Sequence, residues 1–237
     1  MTQLSYRPGD LDTVAPSVGA VSARLRLDAV LQRAVLRDLD RLTSVLAGPV
    51  TAVRRTALIG HVTFLTAELR RHWQLQDELI WPRAVAADPS LAGAADQARD
   101  DHIAAAAECA GLVTAAQQWA MIGDAEHRLL VRDAVREVAA VLPAVFERDG
   151  VVTAVALAAL TTADVAAIDR GVARRRRPTV LARKLFWLLD ELDPASAAVL
   201  LADVPPLRMW VLRNGFSGGY NRGSYLMWVG GGLGVPV

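Results

Sequence analysis

From about Val21 to Leu46 the apolar residues recur at helical spacing, through Leu25, Val30, Leu31, Val35, Leu39, Leu42 and Leu46. Gly48 and Pro49 close this first helix. A second is predicted from about Val50 to Trp81, with Pro82 as its end. Asp88-Pro89-Ser90 reads as a loop, a third helix covers about Leu91 to Met121, and Gly123-Asp124 breaks it. A fourth starts near Ala125 and runs toward Phe146, and Asp149-Gly150 is expected to interrupt or end it. Thr161 or Thr162 is a candidate N-cap for a further helix. Long helices joined by short connections argue for an up-down bundle, whose sites are built from inward-facing side chains.

The pattern divides the chain into a lead-in (1–20), a helical bundle (21–170) and a C-terminal extension (171–237). Within the extension, Leu185–Leu192 and Ala195–Leu201 read as a helical pair. Beyond Pro205-Pro206, Trp210, Phe216, Tyr220, Tyr225 and Trp228 lie among many glycines, a composition that argues against a regular helix. This tail is expected either to fold over the bundle and cover a pocket mouth or to remain partly ordered. Arg174 to Arg177, before Pro178, reads as a solvated linker.

Composition narrows the function classes. Of the 237 residues, 53% are hydrophobic but only 5% aromatic, so Ala, Leu and Val supply most of the apolar surface. The net charge of +1 gives no electrostatic case for nucleic acid or an anionic membrane. No apolar stretch reaches the ~18–20 residues of a membrane span. No secretory signal is visible at Met1–Asp12, so a cytoplasmic protein, monomer or homodimer, is expected. Cys109 is the one cysteine and reads as a small buried hydrophobe. Gly-rich phosphate loops, a nucleophile elbow and a Cys-based zinc pattern are absent from the sequence.

Four segments carry a family resemblance. They are Leu31-Gln32-Arg33-Ala34-Val35-Leu36-Arg37-Asp38-Leu39, the run from Phe64 through His72-Trp73-Gln74-Leu75-Gln76-Asp77-Glu78 to Trp81-Pro82, Asp101-His102-Ile103, and Ala144-Val145-Phe146-Glu147-Arg148-Asp149. Together they resemble the hemerythrin-like HHE cation-binding family. The resemblance implies an all-α antiparallel four-helix bundle, here with a C-terminal helical and Gly/aromatic-rich extension, holding two irons between the helices. It also implies that His72, His102 and Asp149 stand at retained ligand positions. Gln32, Trp73, Ala106 and Ala144 then stand where the family has histidines, and Gln76 where it has a glutamate. With four histidines in the whole chain, the expectation is a site that carries no metal and needs no cofactor.

Gln for His and Gln for Glu keep polarity and approximate size while removing a strong ligand. A dead site would sooner fill with apolar side chains, because unpaired buried polar groups are costly. The expected function is therefore a metal-free acid–base enzyme in a repurposed pocket. His72 and His102 would move protons, with Asp149 or Glu68 orienting an imidazole. Gln32 and Gln76 would hold a substrate oxygen through their amide N–H groups. Trp73 would add apolar surface, and His61, about three helical turns before His72, would line the same interior.

Dehydration, conjugate addition, cyclisation and isomerisation need only these parts. Lys184 is the sole lysine, and the Ala/Val/Leu bias is that of a GC-rich bacterial genome. With an apolar lining between helices, this points to a bulky polyketide-like intermediate as the small-molecule substrate. Two other classes stand beside this one. A non-haem iron protein for oxygen, peroxide or nitric oxide chemistry predicts bound iron. A non-catalytic binding protein predicts that His72 and His102 are dispensable.

Overall fold

A computed structural model describes residues 19–174, 178–190, 192–201 and 218–229. The lead-in up to 18, the arginines at 175–177, Pro205-Pro206, Trp210 and Phe216 lie outside the described residues. Those described contain helices and no strand: α1 (Gly19–Ala47), α2 (Ala52–Leu75), α3 (Trp81–Ala87), α4 (Ala92–Ile122), α5 (Ala125–Ala159), α6 (Thr162–Arg174), α7 (Pro178–Leu189) and α8 (Pro194–Leu201). No described helix is long and apolar enough to cross a membrane.

The four long helices pack side by side, α1 along α5, α5 along α4 and α4 along α2. Local chemistry sets their ends. Thr51 caps α2 by accepting from the Arg54 N–H. Gly123 ends α4 at φ +81°, a left-handed turn suited to glycine. Asp124 then caps α5 through the His127 N–H, and its carboxylate also meets His127 Nδ1 at 2.8 Å. Thr161 and Asp164 satisfy each other's backbone N–H at the start of α6, a reciprocal capping box.

Three sequence expectations are corrected. Pro82 does not end the second helical run. Between α2 and α3 the chain takes a π-helical turn over Gln76–Ile80, closed by the Trp81 N–H onto the Gln76 carbonyl. Pro82 falls in the first turn of the new segment, where a missing N–H costs little, and the helix runs on to Ala87. Asp149-Gly150 does not interrupt α5, which continues to Ala159 and also contains Pro143. A glycine inside a helix costs only about 1 kcal/mol, and Thr153, Ala156 and Leu157 beyond it are all buried. The glycine-rich tail is helical over 218–228. There Met227 is buried and Tyr220 and Trp228 pack on the main core. Arg54 bonds the Met227 and Trp228 carbonyls at that helix's end, so tertiary contacts override the weak local propensity.

The interior is divided. A large apolar cluster runs from Val30 and Leu31 through Leu69 and Trp73 on α2, Ala105 to Trp119 on α4, and Val131 to Phe146 on α5. A second cluster holds Leu79, Ile80, Trp81, Ala95, Ala98, Ala156, Leu157, Ile168 and Val172. The buried polar residues His72, Gln76, His102, Asp149 and Thr153 fall between these two sets along α2, α4 and α5. The candidate site is this polar layer between two apolar ones.

Candidate functional site: a carboxylate–imidazole–carboxylate relay beside a polar cleft

Three helical runs contribute pairs of residues one turn apart. Asp28 and Gln32 come from α1, His72 and Gln76 from α2 and the π turn, and Asp149 and Thr153 from α5. Spacing of four residues puts both members of each pair on one helix face.

His102, on α4, is held at both ring nitrogens. Its Nε2 lies 2.8 Å from Asp149 Oδ1 and its Nδ1 3.3 Å from Asp77 Oδ1. Trp73 stacks on the same ring, with centroids 5.4 Å apart and planes at 17°. Burial alone would pull the imidazole pKa down. The hydrogen bonds to Asp149 and Asp77, with their charges, outweigh it and hold His102 up at about 9. At neutral pH the ring is an imidazolium, donating one N–H to each carboxylate and leaving no lone pair for a base or a metal. Burial pushes the Asp149 carboxyl up more than His102 pulls it down, and the charges of Asp77 and Asp101 add to the rise.

The π turn explains why Asp77 reaches this ring. It widens the helix by one residue, so Gln76 and Asp77, adjacent in sequence, both serve the interior: Gln76 is buried and Asp77 half-buried on His102, while Glu78 is exposed. Arg83 bonds the Leu79 carbonyl inside the turn at 2.9 Å.

Beside the relay lies a small cleft lined by Asp28, Ala29, Gln32, Gln76, Asp149, Gly150 and Thr153. Its inner space is about 10 Å³, room for one water-sized group. Gln76 gives its Nε2–H to Thr153 Oγ1 at 3.2 Å. Among the described residues neither its Oε1 nor Asp149 Oδ2 has a hydrogen-bond partner. Gln76 thus turns a carbonyl to the cleft, where the sequence suggested an amide N–H. His72 stands at the edge of this arrangement, its Nδ1 3.8 Å from Asp28 Oδ1.

Two expected site residues lie elsewhere. His61 bonds Asp38 Oδ2 through Nε2 at 2.7 Å and meets Trp228 edge-on at 5.3 Å. Asp38 is 1% exposed and also accepts from Trp187 Nε1 and Arg37 Nε, each at 2.8 Å. Burial pushes its carboxyl up, but the hydrogen bonds and charges of His61 and Arg37 outweigh that and hold it below the usual range. His61 therefore serves a hub that ties α7 to α1 and α2. Glu68 pairs with Arg71 and with Lys184 Nζ at 3.0 Å, so it faces α7 rather than orienting His72.

Sequence reasoning missed Asp28, Asp77 and Thr153 as site residues. For Asp28 and Thr153 a signal was present, one turn from Gln32 and from Asp149. Asp77 was hidden by the π turn.

The chain matches no family model, no curated protein and no solved structure, so the hemerythrin-like resemblance draws no support from these comparisons. The iron pair it implies does not fit the residues present. Among the described residues no three or more His, Cys, Asp or Glu side chains are grouped to hold a metal ion, and His102 spends both nitrogens on carboxylates.

Proposed function

We propose that this chain is a metal-free acid–base enzyme of the conjugate-addition, cyclisation or dehydration type. Its four long helices form an up-down bundle of hemerythrin-like kind, repurposed around the polar layer. The observation that carries the reading is Asp149, whose Oδ1 is fixed by the His102 imidazolium while Oδ2 has no hydrogen-bond partner among the described residues.

This geometry moves the base from histidine to aspartate. His102 is a positioning residue, aligned in turn by Asp77 and Trp73. Asp149 Oδ2 takes the proton from a nucleophilic O–H or N–H group seated in the cleft. The new oxygen–carbon or nitrogen–carbon bond forms at the β-carbon of an unsaturated carbonyl compound, and the same proton goes to the α-carbon. Run backwards with water as the nucleophile, the step is a dehydration. Gln32 is the residue of the lining able to turn an amide N–H to the carbonyl oxygen. Only the reacting group fits the inner space, so the apolar remainder of a polyketide-like intermediate lies at the mouth, against α1 and α5.

The test is the loss of enone absorbance when the protein is incubated with α,β-unsaturated thioesters and ketones. Wild-type protein accelerates the loss, and D149N is slower by about 10²–10⁴-fold, the scale of one general base, with unchanged helical circular dichroism. Equal rates for the two proteins, or for protein and buffer, overturn the proposal.

A further inference from the structure

The cleft beside Asp149 combines a small size with a definite hydrogen-bonding demand. Among the described residues, Asp149 Oδ2 and Gln76 Oε1 are buried acceptors without a hydrogen-bond partner, on residues 2% and 1% exposed. Both residues line the cleft, whose inner space of about 10 Å³ takes a single water-sized group. Gln76 spends its amide N–H on Thr153 Oγ1 at 3.2 Å, which leaves the carbonyl end for the cleft. Leaving buried acceptors unsatisfied is costly, so the site is completed by a group that donates.

Two acceptors at one small space call for two donors on one small group. A water molecule has two O–H bonds and fills the space. An alcohol has one, so its hydroxyl satisfies one acceptor and leaves the other. A primary amine is protonated at neutral pH, as lysine is, and carries no lone pair to attack with. Water is neutral and asks no charge of Asp28, whose carboxylate faces His72 at 3.8 Å. With both protons committed, the water keeps its lone pairs for what enters from the mouth. Ala29 and Gly150, the small residues of the lining, bring no side-chain donor to occupy them.

From this juxtaposition we infer that the cleft is a binding site for one water molecule, donating to Asp149 Oδ2 and to Gln76 Oε1, and that this water is the nucleophile. The second part rests on the acid–base reading and narrows it to hydration and its reverse. Asp149 Oδ2 takes one proton of the water as the water oxygen bonds the β-carbon of an α,β-unsaturated carbonyl compound. The π electrons of the C=C bond pass to the α-carbon, which then takes the proton from Asp149. One water is consumed and a β-hydroxy carbonyl compound is formed, with no oxidant or reductant. Gln76 holds the other O–H throughout and so sets the direction of the attacking lone pair.

Two measurements on the full chain test the two parts. A crystal structure, from crystals grown without ammonium or amines, is expected to show one water about 2.7–2.8 Å from both acceptors, and Q76L to lose it. An empty cleft, or an ion with closer and more numerous ligands, overturns the inference. The second measurement incubates the protein with S-crotonyl N-acetylcysteamine in oxygen-18 water, with methylamine and methanol added. The product formed beyond the buffer reaction is expected to be the β-hydroxy thioester carrying one oxygen-18. Q76L is expected to lower kcat about tenfold, the scale of one hydrogen bond, with KM unchanged, because Gln76 touches the water and not the thioester. Protein-dependent adducts of methylamine or methanol, or a Q76L effect confined to KM, overturn the nucleophile assignment while the acid–base reading stands. Water in place with no thioester consumed defeats the acid–base reading and leaves the water site standing.

Discussion

Gln76 and Asp77 are neighbours in sequence, yet the first reaches Thr153 on α5 and the second His102 on α4. An ordinary α-helix separates adjacent side chains by about 100°, as it does His72 and Trp73, which are both buried. The π turn over Gln76–Ile80 adds a residue at this point, and such turns recur at functional sites. The polar layer thus contains a departure from regular helix, at the point where it lies between two apolar clusters.

Stability should fall as the solution is made alkaline. The folded-state pKa of His102 is about 9 against an ordinary 6.5, so its contribution is fully present below about pH 6.5. It is lost as pH rises through about 9. At about 1.4 kcal/mol per pKa unit the term amounts to a few kcal/mol. Asp149 acts in the same sense, because its raised pKa favours the protonated folded state at low pH. Urea unfolding from pH 6 to 10 checks this. The slope should flatten in H102Q, and a flat wild-type profile would refute the imidazolium assignment.

Replacing Asp149 by Ala leaves the His102 imidazolium with Asp77 as its one remaining carboxylate. Breaking a buried charged pair in this way costs about 3–5 kcal/mol, and D149N should cost less because its amide oxygen still accepts from Nε2. Denaturant midpoints at constant slope distinguish the two variants.

Purified protein expressed with added iron should contain well under one iron per chain by elemental analysis. Both nitrogens of His102 are committed to carboxylates, and the Gln residues on α1 and the π turn are poor ligands. Stoichiometric iron would contradict this arrangement and return the iron-protein reading.

At the α4–α5 turn, Gly123→Ala should destabilise by about 1–2 kcal/mol from the left-handed backbone alone. A Cβ there would also fall 1.9 Å from the Arg55 guanidinium, so Arg55 must move. Thermal unfolding of G123A and of the G123A/R55A pair separates the two contributions, since only the second is relieved by removing Arg55.

Much of the fold was legible because it is written in apolar periodicity. The long helices α1 and α4 follow it within a residue or two of their ends, and the Thr161 cap was readable from its side chain. Pro82 and Gly150 misled because their local costs are small beside the burial on either side. The site was legible where residues sit one turn apart on a face, as His72 with Gln76. It was not legible where geometry is irregular or the partner is remote in sequence. Asp77 owes its role to the π turn, and His61 owes its placement to Asp38. Asp38 shows in the sequence only as one more helical acid, and its partner Trp187 lies far along the chain on α7.

The Asp38 hub also bears on how the chain is made. Asp38 and Trp187 are 149 positions apart. On the ribosome α1 and α2 therefore emerge, and can pair through Asp38 and His61, long before α7 exists. Until then the carboxylate lacks the indole N–H, and Arg37 lacks the Asp190 and Trp187 carbonyls it later bonds. The arrival of α7 closes the hub, so an element made late in synthesis supplies a hydrogen bond deep inside the part made first.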